Sequence, residues 1–109
     1  MEVVFTEMAV NCLLEIESLA VENYSEEQVA TFIDGLVNRN YEAIFENSER
    51  YRYNATLLDF GIKFQERLDS SYRCLYEVIG NKAHVMLILQ TKQDLISALY
   101  RHQIIKKFN

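Results

Sequence analysis

The sequence predicts an α+β fold in which a helical hairpin packs on one face of a small curved antiparallel sheet. Three observations predict it. Apolar residues recur at helical spacing in two segments, 9–20 and 29–44. After Gly61 the period changes to two, as expected of strands. Gly80-Asn81 separates two β-rich runs, which is typical of a two-residue hairpin loop. At 109 residues, we expect a single domain over residues 1–109.

The first half of the chain predicts a strand followed by two helices. Residues 2–5 form a short β run, and Thr6 is placed to cap a helix. Ser25 followed by Gln28 is a capping-box pattern, so a second helix begins there. Its inner stripe is Val29, Phe32, Ile33, Leu36, Ala43 and Ile44. The connection at residues 23–24 is tight, which favours an antiparallel helical hairpin.

The second half predicts three strands. Residues 47–60 show no clear period and are interpreted as a connecting segment. Residues 62–68 alternate like a strand, 69–71 have turn chemistry, and 72–79 and 83–90 are β-rich. Residues 95–107 suit a terminal helix, with Asp94 as its cap. The predicted order is therefore β-α-α-β-β-β, with or without a C-terminal helix.

Pairing across the Gly80-Asn81 loop predicts which side chains share a face of the sheet. If Ile79 lies opposite Lys82, one face is almost wholly apolar and must lie under the helices. We expect that face to hold Tyr72, Cys74, Tyr76, Val78, Val85, Leu87 and Leu89. The opposite face should hold Arg73, Leu75, Glu77, His84, Met86, Ile88 and Gln90. Lys92 continues this second set, and Arg67 joins it if the preceding strand lies alongside. An alternative is that Arg73 only pairs with Glu66, Glu77 or Asp69 across the sheet.

Charge is divided unevenly along the chain, whose net charge is −5. Residues 1–50 hold eleven acidic side chains against two basic ones, and residues 51–109 hold nine basic against five acidic ones. Such asymmetry hints at a polyanionic target, although the overall acidity argues against one. No apolar stretch approaches the roughly 20 residues of a membrane span. The first residues include Glu2 and Glu7 and lack the basic region of a secretory signal, so we expect none. Cys12 and Cys74 lack metal-ligand spacing, so we expect reduced thiols in a cytoplasmic protein.

These elements also resemble a known family. The β-α-α-β-β-β order, with the run Tyr72-Arg73-Cys74-Leu75-Tyr76-Glu77-Val78, resembles the RelE/ParE superfamily of toxins, including its HigB branch. The resemblance implies the toxin of a type II toxin–antitoxin pair, held inactive by a cognate antitoxin. It further implies an endoribonuclease that cleaves messenger RNA on the ribosome and so inhibits translation, with a DNA-directed toxin that poisons gyrase or nicks DNA as the alternative. A non-toxic interaction module of the same fold is the third alternative, and a homodimer is left open.

Carried over residue by residue, the resemblance implies a metal-independent site without a cofactor. Arg73 matches the arginine that contacts the scissile phosphate, and Arg67 matches an arginine of the preceding strand. Lys92 lies where the nuclease branch has basic residues, and Tyr100 matches only if one gap is allowed. The expected catalytic residues are thus Arg73, Lys92, Arg67 and Tyr100. The expected substrate-binding residues are Lys63, Gln90, Arg101 and His102. The two histidines, His84 and His102, have no companions at ligand spacing, so no metal site is expected.

Overall fold

The computed structural model of the chain describes residues 1–102. It confirms the α+β class and the order β-α-α-β-β-β, which a short C-terminal helix completes. The strands are β1 (Glu2–Phe5), β2 (Gln65–Asp69), β3 (Tyr72–Ile79) and β4 (Lys82–Gln90). The α-helices are α1 (Glu7–Ala20), α2 (Glu26–Asn47), α3 (Ala55–Asp59) and α4 (Leu95–Arg101). No helix among residues 1–102 is both long enough and apolar enough to cross a bilayer.

Both predicted helix starts are confirmed. The Thr6 side chain accepts a hydrogen bond from the Ala9 amide, which satisfies one of the unpaired N–H groups that begin every helix. At Ser25 both bonds of a capping box are formed, since its hydroxyl accepts from the Gln28 amide while the Gln28 side chain accepts from the Ser25 amide. The Asp94 carboxylate caps α4 as predicted. The remainder of the predicted terminal helix, residues 103–107, lies outside the described residues.

The sheet has the strand order β1-β4-β3-β2. The pairs β2–β3 and β3–β4 are antiparallel, as expected of hairpins, whereas β1 pairs with β4 in parallel. The sheet is therefore mixed rather than wholly antiparallel. The long crossover from β1 through both helices permits this parallel pairing, which a tight turn cannot make. Thr6 joins the two strands further, because its hydroxyl donates to the Val85 carbonyl at 2.8 Å.

The predicted register of the β3–β4 hairpin holds only near its loop. Ile79 lies opposite Lys82 and Glu77 lies opposite His84, as predicted. The register then shifts between Leu75 and Tyr76, leaving Met86 as the additional residue of a bulge. Because side-chain direction alternates with every residue, one added residue exchanges the faces beyond it. The prediction that Leu87 and Leu89 lie under the helices, and Ile88 and Gln90 on the opposite face, is therefore wrong.

Two boundaries also differ from prediction. The segment 47–60 contains regular structure, namely the end of α2, a 3₁₀ turn (Ser48–Arg50) and α3. Strand β2 begins at Gln65 rather than at residue 62. The Gln65 side chain explains this start, because it is buried and donates to the carbonyl oxygens of Ser48 and Tyr51. Buried amides need such partners, and the 3₁₀ turn supplies them.

One apolar cluster joins the helices to the sheet. Val85, Leu87, Leu75 and Tyr76 at its centre are fully buried. The other elements add Ala9, Cys12, Leu36, Ile44, Leu57, Leu95, Ala98 and Leu99. The predicted stripe of α2 is buried at Leu36 and Ile44, but Phe32 is 40% exposed. This exposed position borders the open region described below.

Candidate functional site

Arg67, predicted as a member of a catalytic cluster, lies instead on the helix side of the sheet. In the β2–β3 register it lies opposite Cys74, whereas Arg73 lies opposite Leu68. Its guanidinium donates to the Asn40 side chain and to the Asp69 carboxylate, each at 2.9 Å. Asn40 belongs to α2, so Arg67 connects the edge of the sheet to that helix. The two arginines therefore point to opposite faces, and the predicted three-cation cluster is wrong.

Asp69 is shared by two arginines. Arg39 of α2 reaches the same carboxylate with two hydrogen bonds, of 2.9 and 3.2 Å, in the bidentate geometry that suits a guanidinium. The hydrogen bond from Arg39 is the largest cause of the lowered pKa of Asp69, and the Arg67 guanidinium lowers it further. Partial burial of the carboxyl opposes this shift. The network Arg39–Asp69–Arg67–Asn40 is thus a satisfied structural contact between α2 and β2.

Arg73 is also engaged by neighbours, on the opposite face. Its NH1 atom lies 3.1 Å from the Glu66 carboxylate, and its NH2 atom donates to the Thr91 carbonyl at 3.0 Å. The Asn54 side chain donates to the same Glu66 carboxylate. The Arg73 Nε atom is buried and has no hydrogen-bond partner among residues 1–102. Of the three carboxylates considered from the sequence, Glu66 is therefore the one that pairs with Arg73 across the sheet.

Lys92 differs from these arginines. It lies in the turn after β4, is exposed, and forms no hydrogen bond or ion pair with any residue in the described range 1–102. Arg73 and Lys92 are connected only through the backbone, because the Arg73 guanidinium binds the carbonyl of the residue that precedes Lys92. Gln90 lies opposite Tyr72 in the register, on the helix side.

The remaining predicted site residues are scattered. Lys63 is exposed just before β2, and Tyr100 is half-buried on α4. Arg101 pairs with Glu15 of α1 at 3.4 Å. The His102 ring lies 3.9 Å from the Cys12 sulfur. Arg101 and His102 therefore both attach the end of α4 to α1, away from Arg73.

The contact of Cys12 with His102 is a weak one between two neutral groups. Burial is the main cause that raises the pKa of the Cys12 thiol, and burial likewise lowers the pKa of His102. At neutral pH the sulfur is a thiol and the ring is uncharged, so the pair lacks the thiolate that nucleophilic chemistry requires. Within residues 1–102 no group of three or more His, Cys, Asp or Glu side chains is arranged to hold a metal ion.

An open region lies between the helical hairpin and the end of the β3–β4 hairpin that is remote from its loop. A cavity of about 680 Å³ is lined by Ala20, Tyr24, Gln28, Val29, Phe32, Ser71, Tyr72, Gln90, Thr91 and Lys92. A second cavity, of about 360 Å³, shares Ala20, Tyr24, Tyr72 and Gln90 with it and continues along α1 past Leu19 and Ile16 to Cys12. We call the two together the hairpin groove.

The aromatic walls of the hairpin groove come from three separate elements. Phe32 of α2 and Tyr72 of β3 pack with ring centroids 5.5 Å apart and planes inclined at 54°. Tyr24, in the connection between α1 and α2, is 61% exposed. Sequence reasoning missed this site because it assigned Phe32 to the core. The sequence did contain a signal for this site. Phe32 lies one helical turn before the buried Leu36, so it extends the apolar stripe of α2 as far as Tyr72 at the end of the sheet.

In comparisons with known proteins, no protein-family model matches the sequence of the chain, and no curated protein is significantly similar to it.

Proposed function

We propose that this chain is the toxin of a type II toxin–antitoxin pair of the RelE/ParE kind, acting in the cytoplasm and held inactive by a cognate antitoxin. The order and layering of the elements carry this proposal. A two-helix hairpin on one face of the sheet β1-β4-β3-β2, followed by a short terminal helix, is what the resemblance to RelE/ParE toxins implies. The run Tyr72-Arg73-Cys74-Leu75-Tyr76-Glu77-Val78 supports it, since it forms β3 of this sheet.

We infer that the toxin acts by binding its target, as the DNA-directed branch does. The engagement of the arginines supports this mode. A phosphate contact at Arg73 requires the guanidinium to leave Glu66, and Arg67 is held by Asp69 on the other face. Electrostatic catalysis needs donors already aimed at the position where charge develops. Arg67 and Arg73, the two arginines that match the family, instead pair with Asp69 and Glu66 of the same chain.

The second candidate function is a metal-independent endoribonuclease that cleaves messenger RNA on the ribosome. Lys92 favours it, because this exposed ammonium has no partner in the described part of the chain and follows the residue that Arg73 binds. In this alternative, RNA draws Arg73 away from Glu66, and Lys92 and Arg73 together orient the attacking 2′-hydroxyl.

The test is inducible expression of the chain in a bacterial host, with and without the polypeptide encoded beside its gene. We expect growth arrest from the chain alone and rescue by the neighbouring product. Primer extension on total messenger RNA and a gyrase supercoiling assay then separate the two targets. Inhibited supercoiling with intact messenger RNA supports the binding mode, and site-specific cleavage supports the nuclease. Unimpaired growth at a verified expression level contradicts the toxin proposal as a whole.

A further inference from the structure

The hairpin groove leaves apolar side chains uncovered, one of them at a position that the sequence directs inward. Phe32 belongs to the stripe of α2 that includes the buried residues Val29 and Leu36, yet 40% of it is exposed. Leu19 and Tyr24 are 65% and 61% exposed along the same groove. Contiguous apolar surface of this kind on a small domain marks a site of interaction. The groove also has the concave shape and the size of a binding site.

The charge of the hairpin groove contrasts with the charge of the whole protein. The chain carries 16 acidic residues against 11 basic ones. Of the described residues that line the larger cavity, however, none is acidic and one, Lys92, is basic. Five other cations of the described chain, Arg39, Arg67, Arg73, Lys82 and Arg101, pair with carboxylates, whereas Lys92 has no such partner among residues 1–102. Lys92 is thus an uncompensated positive charge at the rim of an apolar groove.

We propose that the hairpin groove docks an apolar, acidic segment of a partner polypeptide. One apolar side chain packs against the paired rings of Phe32 and Tyr72, and a carboxylate of the segment binds the Lys92 ammonium. A second apolar side chain follows the groove along α1 towards Leu19. The inference rests on the proposed function, and the partner it describes is the antitoxin.

The shape and the charge of the groove favour a polypeptide over a nucleic acid. The two cavities form an elongated path with apolar residues along it, which suits the anchors of an amphipathic segment. A nucleic-acid strand needs several cations along its track, whereas Lys92 is the one cation among the described lining residues.

The experiment measures the dissociation constant between the full chain and the polypeptide encoded by the adjacent gene. Phe32→Glu places a charge against the apolar anchor, and Lys92→Glu reverses the rim charge. Tyr41→Glu is the matched control for Phe32, since Tyr41 lies on the same helix outside the groove and is 41% exposed. Arg52→Glu is the matched control for Lys92, because Arg52 is an exposed cation that does not line the groove. Phe32→Ala repeats the test without a new charge, and thermal melts verify that each variant is folded.

We expect Phe32→Glu to weaken binding about 100-fold or more and Lys92→Glu about 10-fold, with both controls within about 2-fold of the unaltered chain. Changing the acidic residue of the partner that faces Lys92 to Lys should restore the affinity of the Lys92→Glu variant. That charge exchange identifies the contact and is not reproduced by general destabilisation.

The outcomes separate this inference from the proposed function. A tight complex whose affinity is unchanged by the groove variants overturns the docking site and leaves the toxin–antitoxin pair intact. No complex, together with no growth arrest, overturns both. Light scattering on the chain alone tests whether a second copy of the chain occupies the groove. A dimer that Phe32→Glu dissociates would assign the groove to self-association. Binding of a single-stranded RNA or DNA oligonucleotide that Lys92→Glu abolishes assigns it to nucleic acid, and either result overturns the proposal.

Discussion

Helix α2 has two halves that meet the rest of the protein differently. Its C-terminal half is closed against the sheet, since Leu36 and Ile44 are buried and Arg39 and Asn40 bind the partners described on β2. Its N-terminal half lies over the hairpin groove and leaves Phe32 exposed. The same helical pattern runs through both halves, so apolar periodicity alone does not distinguish a packed surface from an unoccupied one. The contrast suggests that stability resides in one half and recognition in the other.

The largest expected effect contrasts two residues one helical turn apart. Leu36 is 1% exposed, and Leu36→Ala should lower the free energy of unfolding by about 3 kcal/mol because it leaves a cavity in the core. Phe32→Ala should lower it by about 1–2 kcal/mol, because 40% of that residue is already exposed to water. Chemical denaturation of both variants measures the difference. Equal losses contradict the division of the helix into a packed half and an open half.

The next effect concerns the ionic contact in the closed half. Asp69→Ala should cost about 2–3 kcal/mol, because it leaves the largely buried Arg67 guanidinium without its anion. Asp34→Ala, which removes an exposed acid from the same helix as Arg39, is the control and should change stability by less than about 0.5 kcal/mol. Equilibrium unfolding in denaturant gives both values. A loss at Asp69 no larger than that at Asp34 means the network is not structural.

A smaller loss is expected at Arg73. Arg73→Ala should destabilise the protein by about 1–2 kcal/mol, because Glu66 and the Thr91 carbonyl both lose a donor. For a domain of about this length, each kcal/mol of lost stability lowers the melting temperature by roughly 4–8 °C. Arg52→Ala, at an exposed position, is the control.

Growth inhibition measured on the same Arg73→Ala protein distinguishes a structural arginine from a catalytic one. We expect inhibition to persist at temperatures where the variant remains folded. Loss of inhibition in a fully folded variant favours the endoribonuclease instead.

The smallest expected effect is a dependence on acid. The pKa of Asp69 is lowered in the folded protein, so the contribution of this carboxylate is present above its unfolded pKa of about 3.9. That contribution is lost as the pH falls through the lower folded value. Between about pH 4 and pH 2 the unaltered chain should therefore lose more stability than Asp69→Ala does. Denaturation curves at several pH values test this, and parallel losses in the two proteins contradict it.

Local chemistry predicted most of the fold. The capping box at Ser25, the turn at Gly80-Asn81 and the cap at Asp94 act through neighbours within three residues, so the sequence contains the whole signal. The left-handed backbone of Gly80, with φ of 60°, is what a short hairpin loop requires. The parallel partner of β1 and the bulge at Met86 depend on contacts distant in sequence, and no local pattern indicates them.

The candidate site was predicted less well for the same reason. Strand alternation correctly predicted that Arg73 lies on the face of the sheet turned away from the helical hairpin. The ion pair between Arg73 and Glu66 was among the alternatives considered. Arg67 was misplaced because its face depends on the register across the turn at residues 69–72, where Ser70 adopts a left-handed φ of 52°. The hairpin groove was missed because no sequence pattern indicates a gap in packing. It forms where the end of α1, the start of α2 and one end of the β3–β4 hairpin lie near one another.

The parallel pairing of β1 with β4 has a consequence for the order of folding during synthesis. The β3–β4 hairpin closes across two residues and is a fast local event. Glu2, in contrast, pairs with Lys82, so β1 remains without its partner until residues 82–85 have left the ribosome. Contacts of such sequence separation form slowly. We therefore expect β1 to dock last, and until then the nascent chain exposes both the apolar strand Val3–Phe5 and the edge of β4 that receives it.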